Sequence, residues 1–352
     1  MTTTTLSTTS LTVFVGTRTS LGRSQGIYRM AFDTETGALF DVGLAAATID
    51  PSFIAIHATR PLLFAVVAVP DGRLRSYTIE PRGGLRLLNE VSSYGAGPAY
   101  VQIDRTGRWV ATANYVSGSA AVYRIEADGR LSDAADTLQH HGRGVDGVRQ
   151  EGPHAHSVYF SDDNTQLLIA DLGIDTVTVW AFDAETGQLT PGKPLRTPAG
   201  SGPRHLALGR RHIYVLNELT STINIFEDGV LFETVSVLPA DFVGVSIAAE
   251  VVIDREERFL YSSNRGADTV AVFRIGGHLE KVADIKVGRT PRNIVLSPDG
   301  RFLLVASQDD DTVQSYLVDA ETGMLGAAEN PARVPTPICL RFAPSIWEGV
   351  TR

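Results

Sequence analysis

Short apolar runs separated by polar turns recur along the whole chain, and one phrase repeats. From residue 98 the chain reads PAYVQIDRTGRWVATANY, a proline-led strand, a polar turn and a returning apolar strand. The same phrase stands at 51 (PSFIAIHATRPLLFAVVA), 155 (AHSVYFSDDNTQLLIADL), 203 (PRHLALGRRHIYVLNE), 248 (AAEVVIDREERFLYSSNR) and 291 (PRNIVLSPDGRFLLVASQ), with a truncated copy, PTPICLRFA, from 335. Each full pair from 98 onward is followed by a third strand opened by a small polar turn: GSAAVYRIE, DTVTVWAFD, STINIFEDG, DTVAVFRIG and DTVQSYLVD. A Gly-containing hairpin such as Asp183 to Gly187 or Asp319 to Gly323 then leads into a weaker fourth strand, glycine supplying the positive φ such turns need.

The anchors at 51, 98, 155, 203, 248, 291 and 335 are 47, 57, 48, 45, 43 and 44 residues apart. Four short strands per repeat of roughly 40 to 50 residues predict β-propeller blades. The seventh anchor has only a first strand behind it, while the N-terminus holds three more: LTVFVGT, GIYRMAFD and LFDVGLA. The expectation is an all-β, seven-bladed propeller of four-stranded antiparallel blades, its last blade closed by N- and C-terminal strands, a closure that removes the sheet edges. A single domain over 11–345 follows, with a loose tail at 1–10 and another at 346–352. No WD dipeptide signature marks the repeats.

Composition narrows the function. The chain has 352 residues, with Lys+Arg 31 against Asp+Glu 40, for a net charge of −9. Such a molecule as a whole repels phosphate backbones and acidic lipid surfaces, so no nucleic acid is expected as partner. The longest apolar run, Leu62 to Val69, is far short of the roughly 20 residues of a membrane helix, and no membrane association is expected. One cysteine, Cys339, excludes an internal disulfide framework and suits a reducing compartment. The first ten residues, MTTTTLSTTS, do not read as a secretory signal, so a cytoplasmic protein is expected. A monomer or weak homo-oligomer is expected, and no cofactor.

Blade order also places side chains. The start of each first strand and the end of each second strand share one rim of the central channel. The first offset carries Ser52, Ala99, His156, Arg204, Ala249, Arg292 and Thr336, with Ser157, His205, Glu250 and Asn293 one further on. The second carries Arg18, Ala68, Tyr115 with Asn114 before it, Leu172, Glu218, Arg265 and Gln308. The mouth therefore collects His154, His156, Arg204, His205, Glu218, Glu250, Arg265 and Arg292, a concentration of arginines in a net-acidic protein that favours a small anionic ligand. The long spacing of 57 falls in the segment QHHGRGVDGVRQEGPH (139–154), which reaches the same rim, as does PADFVGVS (239–246); long loops there read as lids or ligand walls. Plainer roles stand beside these. His154 and His156, two apart, could suit a metal, but Glu151 and Glu250 lack ligand spacing, so no metal is expected. Either histidine could join blades by hydrogen bonds, and Arg265 and Arg292 could pair with Glu218 or Glu250. The DTV and ETG acids, and Asp104, Asp162, Asp254 and Asp299, read as turn residues.

The motifs ANY (113–115), QEGPHAHSV (150–158), DLG (171–173), GPRH (202–205), NEL (217–219), AAE (248–250), SNRG (263–266) and TPRN (290–293) together resemble the seven-bladed propeller lactonases. That family includes bacterial propeller-type 6-phosphogluconolactonase and fungal 3-carboxy-cis,cis-muconate lactonizing enzyme. The resemblance runs from Phe14 to Phe342. It implies a catalytic cluster of His156, Arg204, Glu218 and Arg265, with His154, His205, Glu250, Arg292, Asn114 and Tyr115 around the substrate. Hydrolysis of a sugar lactone, 6-phosphogluconolactone first, is implied: Glu218 or His156 activates water, and arginines face the oxyanion or the phosphate. Cycloisomerisation of a carboxymuconate and a non-catalytic interaction scaffold are the alternatives. One departure from the family pattern is the strand end at 65–69, AVVAV, which makes that side of the mouth apolar.

Overall fold

The computed structural model describes residues 10–344. Each repeated phrase forms the hairpin its apolar runs imply, and each extends into one antiparallel sheet. Blade 1 comprises Ile54–Ile56, Leu62–Val67, Arg73–Ile79 and Leu85–Ser92; blade 2 comprises Pro98–Ile103, Trp109–Asn114, Ser119–Ile125 and Leu131–Gln139. Blade 3 is Ala155–Phe160, Gln166–Asp171, Thr176–Phe182 and a fourth strand broken into Leu189–Pro191 and Leu195–Arg196. Blade 4 is Pro203–Leu208, His212–Asn217, Thr222–Glu227 and Val230–Ser236; blade 5 is Ile247–Ile253, Phe259–Arg265, Thr269–Ile275 and Leu279–Lys286. Blade 6 is Pro291–Leu296, Phe302–Ser307, Thr312–Val318 and the broken pair Leu325–Ala327 and Ala332–Arg333.

The seventh blade joins the ends of the chain as expected: Pro337–Phe342 pairs with Ser10–Thr17, which continues into Gly26–Asp33 and Leu39–Ala47. Val13 opposes Phe342 and Val15 opposes Leu340 in that seam. Of the tails, positions 1–9 and 345–352 lie outside the described residues, and Ser10 opens a strand opposite Asp33. Among the described residues no helix is long and apolar enough to cross a membrane.

Second strands such as Leu62–Val67, Trp109–Asn114 and Phe302–Ser307 are buried throughout, because neighbouring blades cover both their faces. The outermost strand Val230–Ser236 has one row turned to water. The ETG hairpins have a double reason for glycine. Gly37, Gly187 and Gly323 adopt φ of 78°, 77° and 73°, and a Cβ there would lie within 2.5 Å of Phe302, Trp109 and Phe259 of a neighbouring blade. Their aspartates are turn caps: Asp183 Oδ1 accepts from Glu185 N and Asp319 Oδ1 from Thr322 N.

One irregularity recurs at the channel. The inner strands shift register at Pro98/Tyr100, Ala155/Ser157, Pro203/His205, Ala248/Val251 and Pro291/Asn293. Each is a bulge that inserts one extra residue and re-aims a side chain, so that Ala99, His156, Arg204 and Arg292 fall out of the ladder at the same depth. In the shared blade the extra residue is Ile338, since Gly16 opposes Cys339 and Thr17 opposes Pro337. Thr336, expected there from the Pro335 anchor, instead donates its hydroxyl to Arg18 O.

Candidate active site

A cavity of about 400 Å³ opens where the bulges converge. Its cationic wall is Arg149, Arg204, Arg265 and Arg292, with His156, His205 and Glu218 among them. The opposite wall, from blades 7, 1 and 2, is largely apolar: Ile338, Phe53, Ala68, Pro98, Ala99 and Val116, with Ser52. Arg18 and Asp50 stand at the edge between the two.

Glu218 is the hub of the cationic wall. Its Oε2 accepts from Arg204 Nε at 2.9 Å and from Arg265 Nη2 at 2.7 Å, and its Oε1 accepts from Arg149 Nη2 at 2.5 Å. Burial alone would raise this carboxyl, but Arg265 and Arg204, then His156 and Arg149, hold it well below the usual carboxylate range. Arg204 is 3% exposed, and burial, with Arg265 nearby, pushes it down to about 10. Arg265 also donates to Ala248 O at 2.8 Å, while its Nε is buried without a partner. Arg292, half-buried, makes no ion pair among the described residues; burial, Arg265 and Arg204 push it well below the ordinary arginine value.

His156 is buried with Nδ1 unpartnered, and burial, Arg204 and His205 hold its pKa well below that of a free imidazole. It is therefore neutral in neutral solution, and its buried Nδ1 is turned away from water, so only Nε2 is left to exchange a proton with a ligand. Its ring meets Tyr115 edge-on at 5.5 Å and His205 at 5.2 Å. Strongly shifted groups gathered in a cleft mark functional sites.

Three residues expected around the substrate do not line the cavity. His154 stacks on Tyr115 at 4.6 Å and its Nδ1 lies 2.9 Å from Tyr115 O, so it steadies that side chain from behind. The bulge at His156 breaks the strand's alternation, which separates two imidazoles that their spacing puts on one face. Asn114 is fully buried and donates to Ser93 O and Ser119 Oγ, joining blade edges. Glu250 lies deeper in the channel, bound to His205. Tyr115, His205 and Arg292 do line the cavity, as do all four residues of the expected catalytic cluster. Among the described residues no three of His, Cys, Asp and Glu gather as metal ligands.

Sequence reasoning passes over Arg149 and Arg341. Arg149 belongs to the long loop already marked by its spacing, and the loop does reach the rim: Gln150 anchors it, donating to Leu172 O at 2.8 Å and Asp175 Oδ1 at 2.7 Å while accepting from Val145 N and Asp146 N. Its tip exposes Val145 and Val148, and the second loop exposes Val243 and Val245. Arg341, from the inner strand of the shared blade, is half-buried, with its guanidinium over the Phe53 ring at 4.5 Å.

Comparison with known proteins agrees with this architecture. Residues 12–342 match the family described as Lactonase, 7-bladed beta-propeller. The chain is 31% identical over 343 residues to the 6-phosphogluconolactonase of Bacillus subtilis (strain 168), covering 94% of this chain and 97% of that protein. It superposes with a TM-score of 0.88 and 31% identity on the periplasmic gluconolactonase of Pseudomonas aeruginosa, covering 96% of this chain and 99% of that one. A protein from Lactobacillus plantarum superposes with a TM-score of 0.89 and 34% identity over 95% of this chain and 99% of its own. The chain belongs to the seven-bladed β-propeller lactonase family.

Proposed function

We propose that this chain hydrolyses a sugar lactone, with 6-phosphogluconolactone as substrate and 6-phosphogluconate as product. The observation that carries the reading is His156, an uncharged imidazole lining the same cavity wall as Arg204 and Arg265. His156 takes a proton from water as the water oxygen bonds to the lactone carbonyl carbon. Arg204 and Arg265 face the oxyanion that develops on the carbonyl oxygen, fixed in advance by Glu218. The ring C–O bond then breaks, the ring oxygen leaves with the proton held by His156, and a hydroxy acid results. Arg292, with Arg18 at the edge, attracts the phosphate. Glu218 is not the base: both its oxygens are occupied by the guanidinia of Arg149, Arg204 and Arg265.

The support is this geometry together with the Bacillus relative, named for that activity, and the Pseudomonas relative, named for a gluconolactone. Acid release from 6-phosphogluconolactone, corrected for spontaneous opening, tests it, with gluconolactone and a carboxymuconate assayed in parallel. No rate above background on either lactone overturns the reading; loss of ultraviolet absorbance from the muconate replaces it by cycloisomerisation. The proposal keeps a cytoplasmic protein, against the periplasmic Pseudomonas case, that is a monomer or weak homo-oligomer, and fractionation with sedimentation checks both.

A further inference from the structure

Beneath the cavity lies a second polar tier that the hydrolytic steps leave unused. Leu340 N in the shared blade donates to Asn293 Oδ1 at 2.8 Å, which fixes the amide so that its Nδ2 donates to Glu250 Oε2. Glu250 Oε1 accepts from His205 Nδ1 at 2.5 Å and from its neighbour Val251 N at 3.3 Å. His205 Nε2 lies 3.0 Å from Arg204 Nη1. A guanidinium only donates, so Nε2 holds the lone pair and Nδ1 the proton. Arg204 also donates through Nη1 to Ala249 O and through Nε to Glu218.

The two ends of this chain of hydrogen bonds, a backbone N–H and a guanidinium, can only donate. Every bond therefore runs inward to Glu250, the one member that only accepts. All its side chains are buried, and they come from the inner strands of blades 4, 5 and 6.

We propose that Glu250, acting through His205 and held by Asn293, is the positioning residue for Arg204: its carboxylate fixes the His205 tautomer whose Nε2 holds the guanidinium against Glu218 and the cavity. The proposal rests on the reading of Arg204 as the oxyanion group. An acceptor-only carboxylate is required for it. A proton on Glu250 would add a donor where three donors already converge and remove the charge that strengthens those bonds, so the hold on them weakens.

The groups facing Glu250 make that proton relevant near neutrality. Arg204 and His205 face it from blade 4, Asn293 from blade 6, Arg341 and Cys339 from blade 7, Tyr100 from blade 2 and Tyr159 from blade 3. Burial raises its carboxyl, Arg204 and Arg341 lower it, and it ends at about 7. His205 stays neutral there, pushed well below its ordinary value by burial, Arg204 and Arg341. The hold on Arg204 thus strengthens as pH rises through about 7.

Glu250→Gln tests the idea, because an amide brings two donors to a point where only acceptors fit. We expect kcat/KM to fall about 10- to 100-fold, by analogy with loss of an outer-shell partner, mostly in kcat, with the acid limb near pH 7 abolished. The double variant Glu250→Gln, Asn293→Asp returns a carboxylate to the chain one residue over, accepting from the Gln amide and from Leu340 N, and should recover most of the loss. Unchanged kcat and pH profile in Glu250→Gln, or no recovery in the double variant, overturns the proposal. Nitrogen-15 shifts of the His205 ring, assigned with His205→Gln, give a reading that needs no turnover. A proton on Nε2 in the wild type overturns the proposal whatever the protein hydrolyses; a proton on Nδ1 that is displaced in Glu250→Gln supports it even if the lactone assay fails.

Discussion

Arg149 Nη2 lies 2.5 Å from Glu218 Oε1, which ties the loop between blades 2 and 3 to the arginine cluster of blades 4 and 5. Gln150, fully buried, fastens the loop from below, so Arg149 is held out as a wall of the cavity. Arg149→Ala leaves Glu218 its two other guanidinia. Because the Arg149 side chain is 35% exposed, the stability cost should be about 1 kcal/mol or less. The substrate loses one wall cation, so KM for 6-phosphogluconolactone should rise about tenfold with kcat nearly constant. Steady-state kinetics beside a urea melt check this; a fall in kcat with KM unchanged would place Arg149 in the chemistry instead.

Glu218→Gln has a different signature. It leaves Arg204 and Arg265 buried beside a neutral amide, and breaking a buried pair of this kind costs about 3 kcal/mol or more. The sign of the pH dependence follows from the direction of its shift. A carboxyl whose folded pKa lies below its unfolded value of 4.5 stabilises the fold above that value, and the contribution is lost as pH falls through the folded pKa. The gap between wild type and variant in urea unfolding should be full at neutral pH and shrink below 4.5. A gap constant down to pH 3 would contradict the ion-pair account.

The ring itself is legible in the sequence because a blade is a local object: two apolar runs, a turn and a third strand repeat within one short period, and the leftover strands at the termini count out the shared blade. The channel set is legible for the same reason, since equal offsets from equal anchors reach equal depths. What the repeat cannot convey is the bulge. His154 and His156 are two apart and read as one face, yet the extra residue sends His156 to the cavity and His154 behind Tyr115. Arg149 sits in a loop with no counterpart in other blades, so no offset points to it. The role of Glu218 depends on which guanidinia meet it across blades, a property of packing between distant segments.

His156 and Glu250 should separate in the pH profile. The imidazole is held well below its ordinary 6.5, so its base form persists through mild acid and it contributes no limb near neutrality. His156→Ala should lower kcat by about 10² or more through loss of the general base. The residual activity should keep the wild-type limb near pH 7, which belongs to Glu250. A profile of kcat/KM from pH 5.5 to 8.5 in both enzymes decides it: a limb that vanishes with His156 would return that titration to the imidazole.

Arg292 offers a trade between fold and function. Its guanidinium is half-buried beside Arg265 and Arg204, with no carboxylate of its own among the described residues, so the folded chain pays for its charge. Arg292→Met keeps the aliphatic stem and removes that charge, and should raise stability by about 1 kcal/mol, as expected where a site is kept at the expense of the fold. Binding should move the other way. KM for the phosphorylated lactone should rise at least about tenfold, because a charge-assisted bond to the phosphate is lost, while KM for unphosphorylated gluconolactone changes little. The salt dependence of KM for the phosphorylated substrate should weaken in parallel, since one of the cations that screening acts on is gone. Equal losses on both substrates would instead place Arg292 at the lactone carbonyl, and the phosphate would then have to be sought at Arg18 and Arg149 on the cavity edge.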